Sequence, residues 1–178
     1  YQAAKENRQP SNFFSSFQTL GEYYRLLEIH DAPELSRLAT NLSFYGQTYN
    51  LNYPEFLTQV VESVQRIEYT YVHSGTHESY QSSSDDDKHA LTLSRFTQEN
   101  TCLLGGCCEK VEPIGIFSPL EVAYHQLADC DSRVVFLHCL FRLMNIRSVV
   151  LTSDQESHSL LGVVFPNIKK RGINKIVK

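Results

Sequence analysis

Apolar residues recur along this chain with two periods. From about Asn12 to His30, Phe13, Phe14, Phe17, Leu20, Tyr24 and Leu27 return at three- and four-residue steps, the spacing of one buried helix face. Ser11 stands where a cap is expected, and Asp31-Ala32-Pro33-Glu34 reads as a break. A short second helix is predicted through Leu35, Leu38, Ala39 and Leu42, followed by a turn at Tyr45-Gly46-Gln47. The clearest helix of the first half opens at Pro54, a residue suited to the first helical position. Phe56, Val60, Val61, Val64 and Ile67 share one of its faces, with Glu55, Gln59, Glu62 and Arg66 largely opposite. Glu68-Tyr69-Thr70-Tyr71-Val72 then favours an extended chain.

The pattern dissolves from Ser74 to Asn100. The run from His77 to Asp87 offers almost nothing to bury, so a flexible insertion is expected near 74–100. Cys102-Leu103-Leu104-Gly105-Gly106-Cys107-Cys108 brings three thiols together in a hairpin-like or loop segment. A disulfide from Cys102 to Cys107 or Cys108, or free thiols, fits this spacing; zinc lacks a fourth ligand at a standard interval, and no metal site is expected. A short helix is predicted over Leu120 to Leu127.

The helical period returns strongly after Ala128-Asp129-Cys130-Asp131-Ser132-Arg133. Val134, Val135, Leu137, Leu140, Phe141, Leu143 and Met144 line a buried face, Asp129 is a good N-cap, and Asn145 suits a left-handed end. Cys130 then falls in the first turn, where the helix dipole favours negative charge, and its thiol is expected to have a lowered pKa. Thiolate is the nucleophilic form. Two strand-like runs follow, Ser148-Val149-Val150-Leu151 and Leu160 to Phe165, with His158 leading into the second. A thiol and an imidazole brought together in this way are the two parts of an activated nucleophile. Cys139 on the same helix reads as a small buried hydrophobe.

Asp-Cys-Asp at a helix start, followed by His158-Ser159-Leu160-Leu161-Gly162-Val163, resembles the bacterial transglutaminase-like branch of the papain-like cysteine enzymes. Pro113-Ile114-Gly115-Ile116-Phe117-Ser118-Pro119-Leu120-Glu121 resembles the stretch that precedes the cysteine in that group. The likeness covers about residues 52–165 and is strongest over 113–164. Ala128 stands where the family usually has Gly.

The resemblance implies an α+β papain-like core, in which the cysteine opens a central helix packed on a small antiparallel sheet, with extra N-terminal helices. It divides the chain into a helical segment, 1–48, and a transglutaminase-like domain, 49–178. It implies cysteine-dependent acyl transfer on peptide or glutamine amide bonds, with protease or amidase action favoured over cross-linking. The catalytic set is then Cys130, His158 and, as third member, Asn167, with Asn174 also after the histidine. Asp129 and Asp131 support the helix start. An oxyanion donor is expected beside the Cys130 N–H, from Gln65, Gln59 or Gln126. His125 and His138 are rival bases. No cofactor is implied, and the partner is a protein or peptide substrate. A bacterial origin is implied, with the compartment left open between extracytoplasmic, which is favoured, and cytoplasmic. The competing reading is a catalytically inactive interaction domain on the same fold.

Composition narrows the classes without changing this picture. With 42% hydrophobic and 20% charged residues among 178, the chain is an ordinary globular sequence with room for a real core. A net charge of −4 carries no nucleic-acid signature. Asp85-Asp86-Asp87 and the basic run Lys169-Lys170-Arg171 read as solvated surface. No apolar run reaches the length of a membrane span.

Overall fold

The computed structural model describes residues 19–74, 108–112, 115–153 and 158–165. They form four helices and five strands, an α+β arrangement: α1 (Leu20–Thr48), α2 (Tyr53–Gln65), β1 (Glu68–Ser74), β2 (Cys108–Glu112), α3 (Pro119–His125), β3 (Leu127–Ala128), α4 (Cys130–Leu143), β4 (Ser148–Ser153) and β5 (His158–Val163). The expected cap at Ser11, the insertion, Cys102, Cys107, Asn167 and Asn174 lie outside the described residues.

The expected break at Asp31 to Glu34 does not occur, nor does the turn expected at Tyr45-Gly46-Gln47. α1 runs straight through both, as one helix of 29 residues with Pro33 inside. A proline in a helix interior loses a hydrogen bond and typically costs about 3 kcal/mol. Leu27 and Leu35, on either side of it, are each almost fully buried, and burying one such side chain stabilises by about 1.5–3 kcal/mol. Packing on both flanks therefore outweighs the local penalty. The helix begins at Thr19, whose hydroxyl accepts from the Glu22 N–H while the Glu22 carboxylate accepts from the Thr19 N–H, a reciprocal cap. Leu35 and Ala39 of α1 enter the same core as Leu57, Val60 and Val64 of α2. Gly46 allows this contact: a Cβ there would come within 2.6 Å of the Phe56 ring.

α4 is the centre of the fold. Val134, Val135, Phe136, Leu137, Cys139, Leu140 and Phe141 are all buried, the mark of a helix covered on most sides. It touches α1, α2, α3 and all of β3, β4 and β5. Asn145 takes the left-handed conformation at φ 58°, and the Ile146 N–H returns to the Phe141 carbonyl at 2.7 Å, turning the chain into β4.

The described strands form two sheets, one parallel and one antiparallel, rather than a single antiparallel sheet. β1 pairs in parallel with both β2 and β3, in the order β2-β1-β3. Parallel neighbours need long crossovers, and residues 75–107 connect β1 to β2. β4 and β5 form an antiparallel pair, with Ser148 opposite Val163 and Ser153 opposite His158. Leu161 and Val163 of β5 pack on the core beneath α4. Among the described residues, no helix is long and apolar enough to cross a membrane.

Candidate functional site

The approach to Cys130 is tied down by hydrogen bonds within α3 and to distant parts of the chain. α3 starts with a second reciprocal cap: Ser118 N–H donates to Glu121 Oε2 at 2.9 Å, and Glu121 N–H donates to Ser118 Oγ. Asp31, fully buried on α1, accepts the Leu120 N–H at 2.8 Å. The residue expected to break a helix is thus a carboxylate held in the core to cap another. Phe117 N–H donates to Ser132 Oγ at 3.0 Å, fastening the segment before α3 to the first turn of α4. Gln126 ends α3 in the left-handed region at φ 55°. β3 then delivers the chain to Asp129.

Asp129 caps α4, accepting the Ser132 N–H at 2.8 Å. Burial pushes its carboxyl above the ordinary range, against hydrogen bonds from Ser132 and from the Val72 main chain. Arg133, one turn in, donates to the Ile67 carbonyl and stands 5.5 Å over the Tyr69 ring, joining α4 to the start of β1.

Cys130 is the first residue of α4 and is partly exposed, while Cys139 on the same helix is fully buried. The Cys130 thiol donates to Asp131 Oδ1 at 3.7 Å. Here the structure reverses the expected direction of the pKa. Burial pushes the thiol up, the Asp131 charge adds to it, and the Ser159 main-chain N–H facing the sulfur works the other way. The dipole at a helix start is worth a fraction of a kcal/mol to one or two. Desolvation and two neighbouring carboxylates exceed it.

His158 opens β5 and is exposed. Successive side chains of a strand alternate in face. Ser159 is buried toward α4, so the His158 ring lies on the other face, while its main chain is one residue from the N–H that meets the sulfur. Among the described residues no hydrogen bond joins the thiol to the imidazole. The rival histidines are placed elsewhere. His125 is exposed on α3, its ring against Phe117 and Tyr124. His138 lies between α1 and β4: it shares a hydrogen bond with Ser148 of β4 at 2.9 Å and lies 3.9 Å from Glu28 of α1. Burial lowers its pKa.

The glutamines expected near the thiol are not drawn to it. Gln65 is exposed at the C-terminal end of α2, Gln59 is exposed on the same helix, and Gln126 donates to the Ala123 carbonyl at 2.8 Å. From α1, Tyr24 lies within electrostatic reach of the start of α4. It is 7% exposed and packs with Leu27, Ile116 and Val135. Its phenol is pushed well above the usual range by burial first, then by the charges of Asp131 and Asp129; the neighbouring Ser159 hydroxyl eases this in part. Yet no hydrogen bond of standard geometry closes on the Tyr24 oxygen among the described residues. In the sequence Tyr24 was one more member of an apolar stripe. Its spacing of one heptad from Asp31, a charged residue on that stripe, is the only signal that this face does more than pack.

A cavity of about 310 Å³ lies between α1, α4 and β4, with Tyr24, Glu28, His138, Arg142 and Val150 in its walls. Neither Cys130 nor His158 lines it, and Glu28 and Arg142 there pair with each other at 2.7 Å. No group of three or more His, Cys, Asp or Glu among the described residues is placed to hold a metal ion. No family model, curated protein or solved structure matches this chain.

Proposed function

We propose that the chain is a cysteine-dependent acyl-transfer domain of the transglutaminase-like, papain-like kind. Its substrate is a peptide or glutamine amide, with hydrolysis favoured over cross-linking. One observation carries the reading: the Cys130 sulfur, at the start of the central helix, meets the main chain of β5 immediately after His158. A nucleophile needs a base within reach, and apo geometry is often looser than the reacting complex. In this reading His158 is that base, one residue from the Ser159 N–H that faces the sulfur. The Cys130 N–H belongs to the first turn, whose N–H groups have no intrahelical carbonyl, and is a natural oxyanion donor. Asp129 holds that turn in place. Asn167 or Asn174 is the third member by its order in the chain.

A second reading is favoured by two observations. The thiol is pushed up rather than down, and His158 alternates onto the face away from Ser159. Both suit an interaction domain that keeps the scaffold without the chemistry. The test is turnover of an N-blocked glutaminyl-glycine dipeptide and of a mixed peptide pool. Under the first reading the wild-type chain releases ammonia or new amines, and Cys130→Ala abolishes this with the circular dichroism spectrum unchanged. A wild-type chain that turns over neither, or a Cys130→Ala variant with full activity, sinks it.

A further inference from the structure

We propose that the cavity between α1, α4 and β4 is a binding site for a small monocarboxylic acid with an apolar tail. The carboxylate sits on Arg142 and Arg25 at the rim, and the tail lies inside against the Tyr24 ring and Val150. The site is separate from the surroundings of Cys130 and does not depend on the acyl-transfer reading.

The three walls follow from the periods of their elements. Gly21, Arg25 and Glu28 return at three- and four-residue steps on α1, His138 and Arg142 are one turn apart on α4, and Ser148 and Val150 share a face of β4. They enclose about 310 Å³, the size of a small-ligand site. Its inner polar groups are already paired. His138 shares a hydrogen bond with Ser148 at 2.9 Å, and the Glu28 carboxylate meets Arg142 Nε at 2.7 Å. What the inner end offers a ligand is apolar area, from the Tyr24 ring and from Val150, which pack in one cluster.

The rim is different. Glu28, only 15% exposed, engages Arg142 through Nε; the side chain of Arg142 is 60% exposed, and its terminal Nη groups make no hydrogen bond among the described residues. A guanidinium anchored by one edge is pre-oriented, and its remaining N–H fork matches a carboxylate. Arg25 lines the same cavity and has no ion-pair partner among the described residues. Burial favours the neutral form of His138. Two arginines therefore stand against one glutamate, and the walls carry one uncompensated positive charge. A monoanion balances it, whereas a phosphate or a dicarboxylate would bring a second negative charge toward Glu28.

Gly21 supplies an independent observation. It is an exposed helical residue in the first turn of α1, and a Cβ placed on it would meet no atom within 4 Å. Glycine weakens a helix relative to alanine, so nothing in α1 itself calls for it. The missing side chain keeps this part of the cavity wall clear.

The test uses the full chain and two probe acids, hydrocinnamate and octanoate, with the neutral amide of each as control. Affinities are read by isothermal titration calorimetry, and folding by urea midpoints. We expect saturable binding of the acids, with the amides weaker by about 10–100-fold, the loss of a charged hydrogen-bonded pair. Arg142→Gln lowers acid affinity by a similar factor and leaves the amides little changed. Arg25→Gln, an exposed pair, lowers it by about 2–5-fold. Gly21→Phe places a ring in the open space and abolishes binding of acid and amide alike, with the urea midpoint held. Cys130→Ala binds as wild type does. If Arg142→Gln unfolds because Glu28 is left unpaired, Gly21→Phe still decides. Absence of saturable binding of either acid below about 1 mM overturns the proposal. Acids and amides of equal affinity overturn it too, since no carboxylate is then recognised. Wild-type binding in Gly21→Phe, or binding lost in Cys130→Ala, places the ligand elsewhere and overturns it equally.

Discussion

Asp31→Ala removes a carboxylate that is fully buried and accepts the Leu120 N–H at 2.8 Å. Hydrogen bonds to charged groups contribute about 1.5–3 kcal/mol, and an orphaned, partly buried N–H adds a penalty of similar origin. Relief of the buried charge works in the opposite direction. With a direct bond of good length the first effect wins, and the expected loss is about 2–3 kcal/mol. For a chain of this size that lowers Tm by about 4–12 °C. Asp31→Asn keeps an acceptor of the same shape and loses only the charge, so its cost falls to roughly half. Both are read by urea unfolding followed by circular dichroism. Because α3 leads directly into β3 and Asp129, the alanine variant also loosens the start of α4, and Cys130 becomes more accessible to iodoacetamide. The reasoning fails if Asp31→Ala lies within about 0.5 kcal/mol of wild type, the range of an indifferent surface change. It fails equally if the variant is more stable, which would mean that burying the charge costs more than its hydrogen bonding returns.

Two further expectations concern the thiols. The pH–rate profile of Cys130 alkylation should have its midpoint above the ordinary thiol value, and Asp131→Asn should lower that midpoint; a profile below that of free glutathione contradicts the assigned causes. Burial pushes the Cys139 thiol up to about 12 from the ordinary 9.0. The folded protein then retains a proton that the unfolded chain has lost, so stability is full below pH 9.0 and declines as pH rises toward 12. Cys139 alone should remove about 1.4 kcal/mol between pH 8 and pH 10, and urea midpoints of wild type and Cys139→Ala should therefore converge at high pH; parallel curves count against it.

Local rules carried the reading where one element decides its own shape. Pro54, the face of Phe56 to Val64, the Asp129 cap, the apolar run of α4 and the left-handed Asn145 all answer to neighbours within a turn or two. Pro33 did not, because the packing of Leu27 and Leu35 that overrides it comes from partners far along the chain. The parallel pairing of β1 with β2 and β3 was hidden for the same reason, since nothing in Glu68 to Val72 specifies the direction of its neighbours. At the site, position was legible and electrostatics was not. Cys130 stands at the helix start as its spacing implies, but its ionisation depends on burial and on Asp131, which a dipole rule omits. Tyr24 could not be distinguished from core, because a hydroxyl at the tip of an apolar ring has no period of its own.

The continuity of α1 has a consequence for how this chain can vary. Tyr24, Leu27, Asp31 and Leu35 lie in phase along one stripe of a single helix; the first two share a cluster with Ile116 and Val135, Asp31 accepts the Leu120 N–H, and Leu35 enters the main core. Each residue of a helix turns the next by about 100°. Adding or deleting one residue between Tyr24 and Leu35 would therefore swing the tyrosine away from α4, or the aspartate away from α3, whichever end the rest of the core failed to hold. α1 behaves as a gauge of fixed pitch: single-residue changes of identity are absorbed locally, but a change of length is not. Length variation has to be accommodated outside it, so the reading frame of this helix, more than any one of its side chains, keeps the α3 cap and the start of α4 in register.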